Sequence, residues 1–128
     1  MVNIDYIMEL LDCDNGKEEQ LLGIKLARNI EIIEAFLQPG PPYGKRVWDK
    51  CAEILSEKTD EELATCLTGL MEWLQDMNWP GSFCILDRLK KFEKNPAFYQ
   101  AFDDCLKRAE VLEDDIWKEN LQEISETQ

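Results

Sequence analysis

Residues 59–80 read T-D-E-E-L-A-T-C-L-T-G-L-M-E-W-L-Q-D-M-N-W-P, and this stretch decides the fold class. Thr59 followed three residues later by Glu62 is a capping box, with Asp60 and Glu61 in the first turn where the helix dipole favours anions. Apolar residues then recur with a period of 3.6 at Leu63, Cys66, Leu67, Leu70, Met71, Trp73 and Leu74, which predicts one helix running to about Gln75. They cover a wide arc, so this helix is expected at the centre of the fold. Trp73-Leu74-Gln75-Asp76-Met77-Asn78-Trp79-Pro80 reads as the corner that ends it. Trp73 and Trp79 are expected to pack the corner and Asp76 to accept backbone N–H bonds. Asn78 is expected to cap the following helix, with Pro80 in its first turn. Each polar residue thus has a local backbone role, which favours a structural motif over a binding corner.

The same periodicity extends in both directions. Ile4, Ile7, Met8 and Leu11 stripe a first short helix, broken at Asn15-Gly16. Leu21, Ile24 and Ala27, then Ile30, Ile33 and Phe36/Leu37, mark one long helix or two with a bend. Pro39-Gly40-Pro41-Pro42 is the strongest break, since consecutive prolines remove donors and bar the helical conformation before them; a proline-rich loop spans 38–43. A helix from about Tyr43 to Ser56 buries Val47, Trp48, Cys51, Ile54 and Leu55. Beyond the corner, Phe83, Leu86, Leu89 and Phe92 stripe one helix. Asn95-Pro96 opens another, with Phe98, Phe102, Cys105, Leu106, Ala109 and Leu112 on one side. Asp114-Asp115 starts the last, with Trp117, Leu121 and Ile124 inward and Glu126-Thr127-Gln128 fraying. No stretch alternates as a strand does. The expectation is an all-α single domain over residues 1–128, with seven or eight short helices stacked as antiparallel hairpins. Gly23 and Gly69 fall inside helical patterns at up to about 1 kcal/mol each, and close helix–helix approach would explain them.

Composition limits the chemistry. The 128 residues contain 27 acids, 14 bases and no histidine, for a net charge of −13. Without histidine there is no Ser-His-Asp or Cys-His catalysis and no histidine zinc site. The charge repels nucleic-acid phosphates and anionic lipid, so neither is expected as a direct partner, and it favours a basic protein. The ends are the most acidic: residues 93–128 hold 10 acids and 4 bases, whereas 43–92 hold 9 and 7. The basic run Arg88, Lys90, Lys91 and Lys94 reads as a solvated helix end. Cys13, Cys51, Cys66, Cys84 and Cys105 are odd in number and show no CxxC pair, which argues against a disulfide framework or a zinc site, and four of them fall beside apolar residues at helical spacing and read as small buried hydrophobes. Asp12-Cys13-Asp14-Asn15-Gly16 fails the spacing of a calcium loop, because the twelfth position is Gly23. No metal, no cofactor and no catalytic residue is expected. The opening Met1-Val2-Asn3-Ile4-Asp5 lacks a basic n-region and an apolar h-region, and no segment is apolar enough to span a bilayer. The expectation is a cytoplasmic protein.

At the octapeptide the chain resembles small bacterial all-helical proteins of unknown function that carry a W-L-Q-D-x-N-W-P signature and stack helices in a HEAT-like manner. The similarity runs from Gly44-Lys45-Arg46-Val47-Trp48 through Cys51-Ala52 and Asp60-Glu61-Glu62-Leu63 to Pro80, with an echo of the family's D-x-I-W-K ending at Asp115-Ile116-Trp117-Lys118. Such proteins look similar to immunity proteins of bacterial toxin systems. The resemblance therefore implies a non-catalytic inhibitor of a cognate toxin, a basic nuclease being one candidate, whose binding an acidic surface would speed. Asp103, Asp104, Glu110, Glu113, Asp114 and Asp115 are the candidate partner-binding residues, with a plain solvated face as the competing reading. A HEAT-like scaffold or adaptor is the alternative function. A nucleic-acid mimic would need regularly spaced acids, and the central segment is too neutral for that.

Overall fold

A computed structural model describes residues 3–125, so the expected fraying at Glu126-Thr127-Gln128 lies outside the described residues. Among the described residues there are eight α-helices, four 3-10 turns and no strand. The chain divides into two compact units, Met1–Glu57 and Lys58–Gln128.

In the first unit, α1 (Ile4–Leu11) is capped by Asn3, whose side chain accepts the Asp5 N–H at 2.8 Å. The break at Asn15-Gly16 has a physical cause. The Asn15 side-chain amide donates to the carbonyls of Glu9 and Leu10, which the end of α1 leaves open. The next helix, α2 (Lys17–Ala27), packs on α1. It ends at Ala27, so the long or bent helix expected to about Leu37 is replaced by a turn and a 3-10 segment at Ile33–Phe36. Asn29 and the β-branched Ile30, Ile32 and Ile33 are poor helix continuers, although they keep the apolar spacing. Residues 38–43 are non-helical, as the prolines require, and the Pro41–Pro42 bond is cis. A 3-10 turn, Gly44–Val47, leads into α3 (Trp48–Ser56), so the expected helix begins properly only at Trp48. The Trp48 indole N–H donates to the Pro39 carbonyl at 2.9 Å and pins the proline loop. Ile7, Met8, Leu11, Phe36, Ile54 and Leu55 form the fully buried centre.

Gly23 is where α1 and α2 come closest. A Cβ there would lie 2.8 Å from Leu11 Cδ2 and 3.0 Å from Leu10 Cβ. Alanine would regain up to about 1 kcal/mol of helix propensity, but overpacking a tight contact costs about 1–3 kcal/mol. Gly23→Ala is therefore expected to destabilise by about 1 kcal/mol in urea titration, and a net gain would contradict the close approach.

The second unit opens with the capping box. Thr59 Oγ1 accepts the Glu62 N–H and Glu62 Oε1 accepts the Thr59 N–H, both at 3.1 Å. The single helix expected over 59–75 is instead four pieces: α4 (Asp60–Leu63), a 3-10 turn (Ala64–Cys66), α5 (Leu67–Glu72) and a second 3-10 turn (Trp73–Gln75). Thr65 bonds back to the Glu62 carbonyl at 3.3 Å, a competition that disfavours a regular helix. After the corner come α6 (Ser82–Lys90), α7 (Pro96–Val111) and α8 (Asp115–Ser125). Asn95 caps α7 through the Phe98 N–H at 2.9 Å, and Asp114 caps α8 through the Trp117 N–H at 3.0 Å. The helix α7 packs on α5 and α8, and α8 packs on α6. The core holds Leu63, Leu70, Met71, Trp73, Phe98 and Trp117.

Two of the four bases in 88–94 are not a solvated helix end. Lys94 Nζ donates to the carbonyls of Leu89, Lys90 and Phe92 at 2.9–3.1 Å, which closes the C-terminus of α6. Arg88 reaches back to the Lys58 carbonyl at 2.9 Å and Asp60 Oδ1 at 2.5 Å. Among the described residues, no helix is long and apolar enough to cross a membrane.

Candidate functional site

The octapeptide forms a closed corner. Trp73 is fully buried, and its indole N–H donates to the Pro80 carbonyl at 2.9 Å. Asp76 Oδ1 accepts the Asn78 N–H at 2.8 Å, the backbone role expected of it. The Asp76 carbonyl accepts the Trp79 N–H at 3.1 Å. Asn78 does not cap the next helix, and Pro80 is not in its first turn. The turn from Trp79 to Ser82 intervenes, and Gly81 at φ 86° is the residue before α6. That left-handed backbone suits glycine. Trp79 is only half-buried and Asn78 is exposed. The lock is Ser82, fully buried, whose hydroxyl donates to the Asp76 carbonyl at 2.8 Å and shares that bond with the Trp73 carbonyl at 3.2 Å. Sequence reading missed Ser82, and the Pro80-Gly81-Ser82 turn was the available signal.

The echo at 115–118 meets this corner. Helix α5 runs into the 3-10 turn Trp73–Gln75, and α8 adds donors to carbonyls of both. From α8, the Trp117 indole N–H donates to the Met71 carbonyl at 3.1 Å, and Asn120 Nδ2 donates to the Leu74 carbonyl at 2.7 Å. Residues 117 and 120 lie three apart on one helix face, so a single face supplies both donors. Arg108 sits over the Trp117 ring, 5.2 Å from its centroid, and pairs with Glu72 at 2.9 Å. Asn120 was the second residue missed.

Between corner and α8 lies a cleft of about 380 Å³, lined by Gln75, Asp76, Met77 and Asn78 on one side and Asp114, Ile116 and Asn120 on the other. Of the six acids expected to bind a partner, only Asp114 lines it. Asp103 and Asp104 are exposed on α7, seven or more residues from its end and so ~10 Å along the helix axis. Asp104 accepts from the Gln100 amide at 3.1 Å, and Glu110 pairs with Lys118 at 3.4 Å. Glu113, at φ 56°, takes the left-handed position of a Schellman turn, with Asp114 N–H donating to the Ala109 carbonyl at 2.8 Å. Asp115 is exposed in the first turn of α8. The acids thus form two groups, one along α7 and one at the α7–α8 turn.

The thiols divide similarly. Cys51, Cys66 and Cys105 are buried, Cys84 is half-buried and Cys13 is exposed. Burial pushes the Cys51 thiol up to about 12. It pushes Cys105 up to about 11, with Glu72 and Asp104 adding to the shift and Arg108 opposing it. Both stay protonated near neutral pH and are poor nucleophiles. Cys13 lies beside Asp12 and Asp14, but both carboxylates bind the Arg46 guanidinium, Asp12 at 2.9 Å.

Fold and cleft define a small, strongly acidic, all-helical domain whose polar cleft joins the tryptophan corner to the last helix. The chain belongs to a family described as a domain of unknown function (DUF5071), whose model matches residues 45–128 and so takes in the corner, the cleft and α8. No curated protein and no solved structure matches the chain.

Proposed function

We propose that the chain is a non-catalytic protein-binding module of the immunity type, a HEAT-like stack of helices that binds a basic toxin domain and blocks its active site or substrate groove. The observation that carries this reading is the acidity of residues 93–128, with 10 acids against 4 bases. Asp103 and Asp115 are exposed and make no ion pair among the described residues, so their charge is available to a partner. A toxin that holds phosphate is commonly basic, and opposite charge raises the rate of encounter and rejects wrong partners. The buried, protonated thiols and the missing histidine fit a protein that acts by occupying a surface.

The test reverses charge on α7. Asp103→Lys combined with Asp104→Lys is expected to slow association with the purified partner about tenfold and to flatten its dependence on salt, while dissociation changes little. Unchanged association kinetics would remove α7 from the interface. The adaptor reading draws on exposed apolar side chains in the same unit, Phe83 on α6, Val111 and Leu112 at the end of α7, and Ile116. It implies weaker binding to several partners.

A further inference from the structure

We propose that the cleft between the tryptophan corner and α8 takes the guanidinium of an arginine side chain presented by the protein partner; this inference rests on the reading of the chain as a binder of a basic protein. Three of the lining side chains are held in place by the fold and still have an oxygen to offer. Asp76 spends Oδ1 on the Asn78 N–H, Asp114 spends Oδ1 on the Trp117 N–H, and Asn120 spends Nδ2 on the Leu74 carbonyl. No hydrogen bond is made among the described residues by Asp76 Oδ2, Asp114 Oδ2 or Asn120 Oδ1. The oxygens left over on these three side chains are acceptors, two of them on carboxylates, and the Gln75 and Asn78 amides add both a donor and an acceptor each to the lining.

With two carboxylates in its lining, such a cleft disfavours phosphate and carboxylate and favours a donor-rich cation. A guanidinium presents five N–H donors in a plane and is weakly hydrated, so several fixed oxygens can be satisfied at once. An ammonium is a compact, strongly hydrated point charge with three donors. The apolar members of the lining, Met77 and Ile116, suit the methylene stem that accompanies an arginine head. Because Asp76, Asp114 and Asn120 are already fixed by backbone bonds, little side-chain freedom remains to be lost on binding. The other five acids, Asp103, Asp104, Glu110, Glu113 and Asp115, supply the long-range attraction, and the cleft supplies the directional contact.

The probe is N-acetyl-arginine amide, titrated into the isotopically labelled full chain and followed by two-dimensional NMR, with the uncharged isostere N-acetyl-citrulline amide alongside. The expected result is saturable shifts confined to residues 75–78 and 114–120, half-complete in the millimolar range, and at least tenfold weaker for citrulline. Equal binding of citrulline, shifts spread as strongly over Asp103 and Asp104, or no saturation would each overturn the proposal without any variant. The combined variant Asp76→Asn and Asp114→Asn keeps the turn and the cap, since asparagine serves in both. It is expected to lose the probe and to bind the purified basic partner at least tenfold more weakly. If it loses the probe but holds the partner as wild type does, the cleft assignment falls and the binder reading stands. If the wild-type chain retains no basic partner at all, the binder reading falls and takes the assignment with it.

Discussion

Trp117→Ala is expected to lower the stability of the Lys58–Gln128 unit by about 4 kcal/mol. The side chain is 0% exposed. Its N–H donates to the Met71 carbonyl near the end of α5, beside the backbone N–H that carbonyl also accepts. Truncation leaves a large cavity, removes one of the hydrogen bonds to that carbonyl and removes the surface on which Arg108 rests. Against a total of about 5–15 kcal/mol for a domain, that is a large share. Trp117→Phe separates the two contributions. It keeps most of the packing, gives up the hydrogen bond and is expected to cost about 1–2 kcal/mol. Urea unfolding followed by circular dichroism reads both, and an alanine cost near that of phenylalanine would contradict the account of the corner.

Arg88→Ala is expected to cost about 2–3 kcal/mol, because three interactions end on one half-buried guanidinium. It donates to the Lys58 carbonyl and to Asp60 Oδ1, and it lies 5.8 Å from the Phe92 ring centre. The partner carboxylate carries a pH signature. Burial by itself would raise the Asp60 carboxyl. That effect is outweighed by hydrogen bonds from Arg88 and the Glu93 N–H and by the charges of Arg88 and Lys94, so the group lies below the ordinary aspartate range. A carboxyl depressed in the folded state contributes stability above its unfolded value of about 3.9, and that contribution is lost as pH falls through the lower, folded value. The Asp60 side chain is 36% exposed, which screens the pair, so Asp60→Asn should cost only about 1 kcal/mol at neutral pH. The two proteins should converge as pH falls through the lowered, folded-state value of Asp60, and a gap that persisted or widened in acid would contradict this expectation.

Local chemistry made much of the fold legible. The caps at Thr59, Asn95 and Asp114 and the breaks at Asn15-Gly16 and Pro39–Pro42 each rest on side chains acting within a few residues. What failed was continuity. A period near 3.6 does not distinguish an α-helix from alternating α and 3-10 segments, so residues 59–75 and 21–37 read longer and more regular than they are. Periodicity also does not say where a stripe stops being covered, and Leu21, Phe83 and Leu112 continue apolar patterns onto the surface. The candidate site was legible in its parts. Asp76 and Asp114 were both named, one as a turn residue and one as a surface acid, but their meeting across a cleft depends on α8 returning to the corner. Asn120 and Ser82 left no sequence signal of comparable strength, because their partners are carbonyls of other segments.

The most direct test of the binder reading is affinity capture of the tagged full chain from a lysate of the cells that encode it. The capture is washed at low and at high salt, and each retained protein is identified and quantified by mass spectrometry. One stoichiometric basic protein that survives the high-salt wash is the expected result, since shape and burial must then add to charge that salt screens. Several partners all lost on the high-salt wash, or none at either salt, would contradict it.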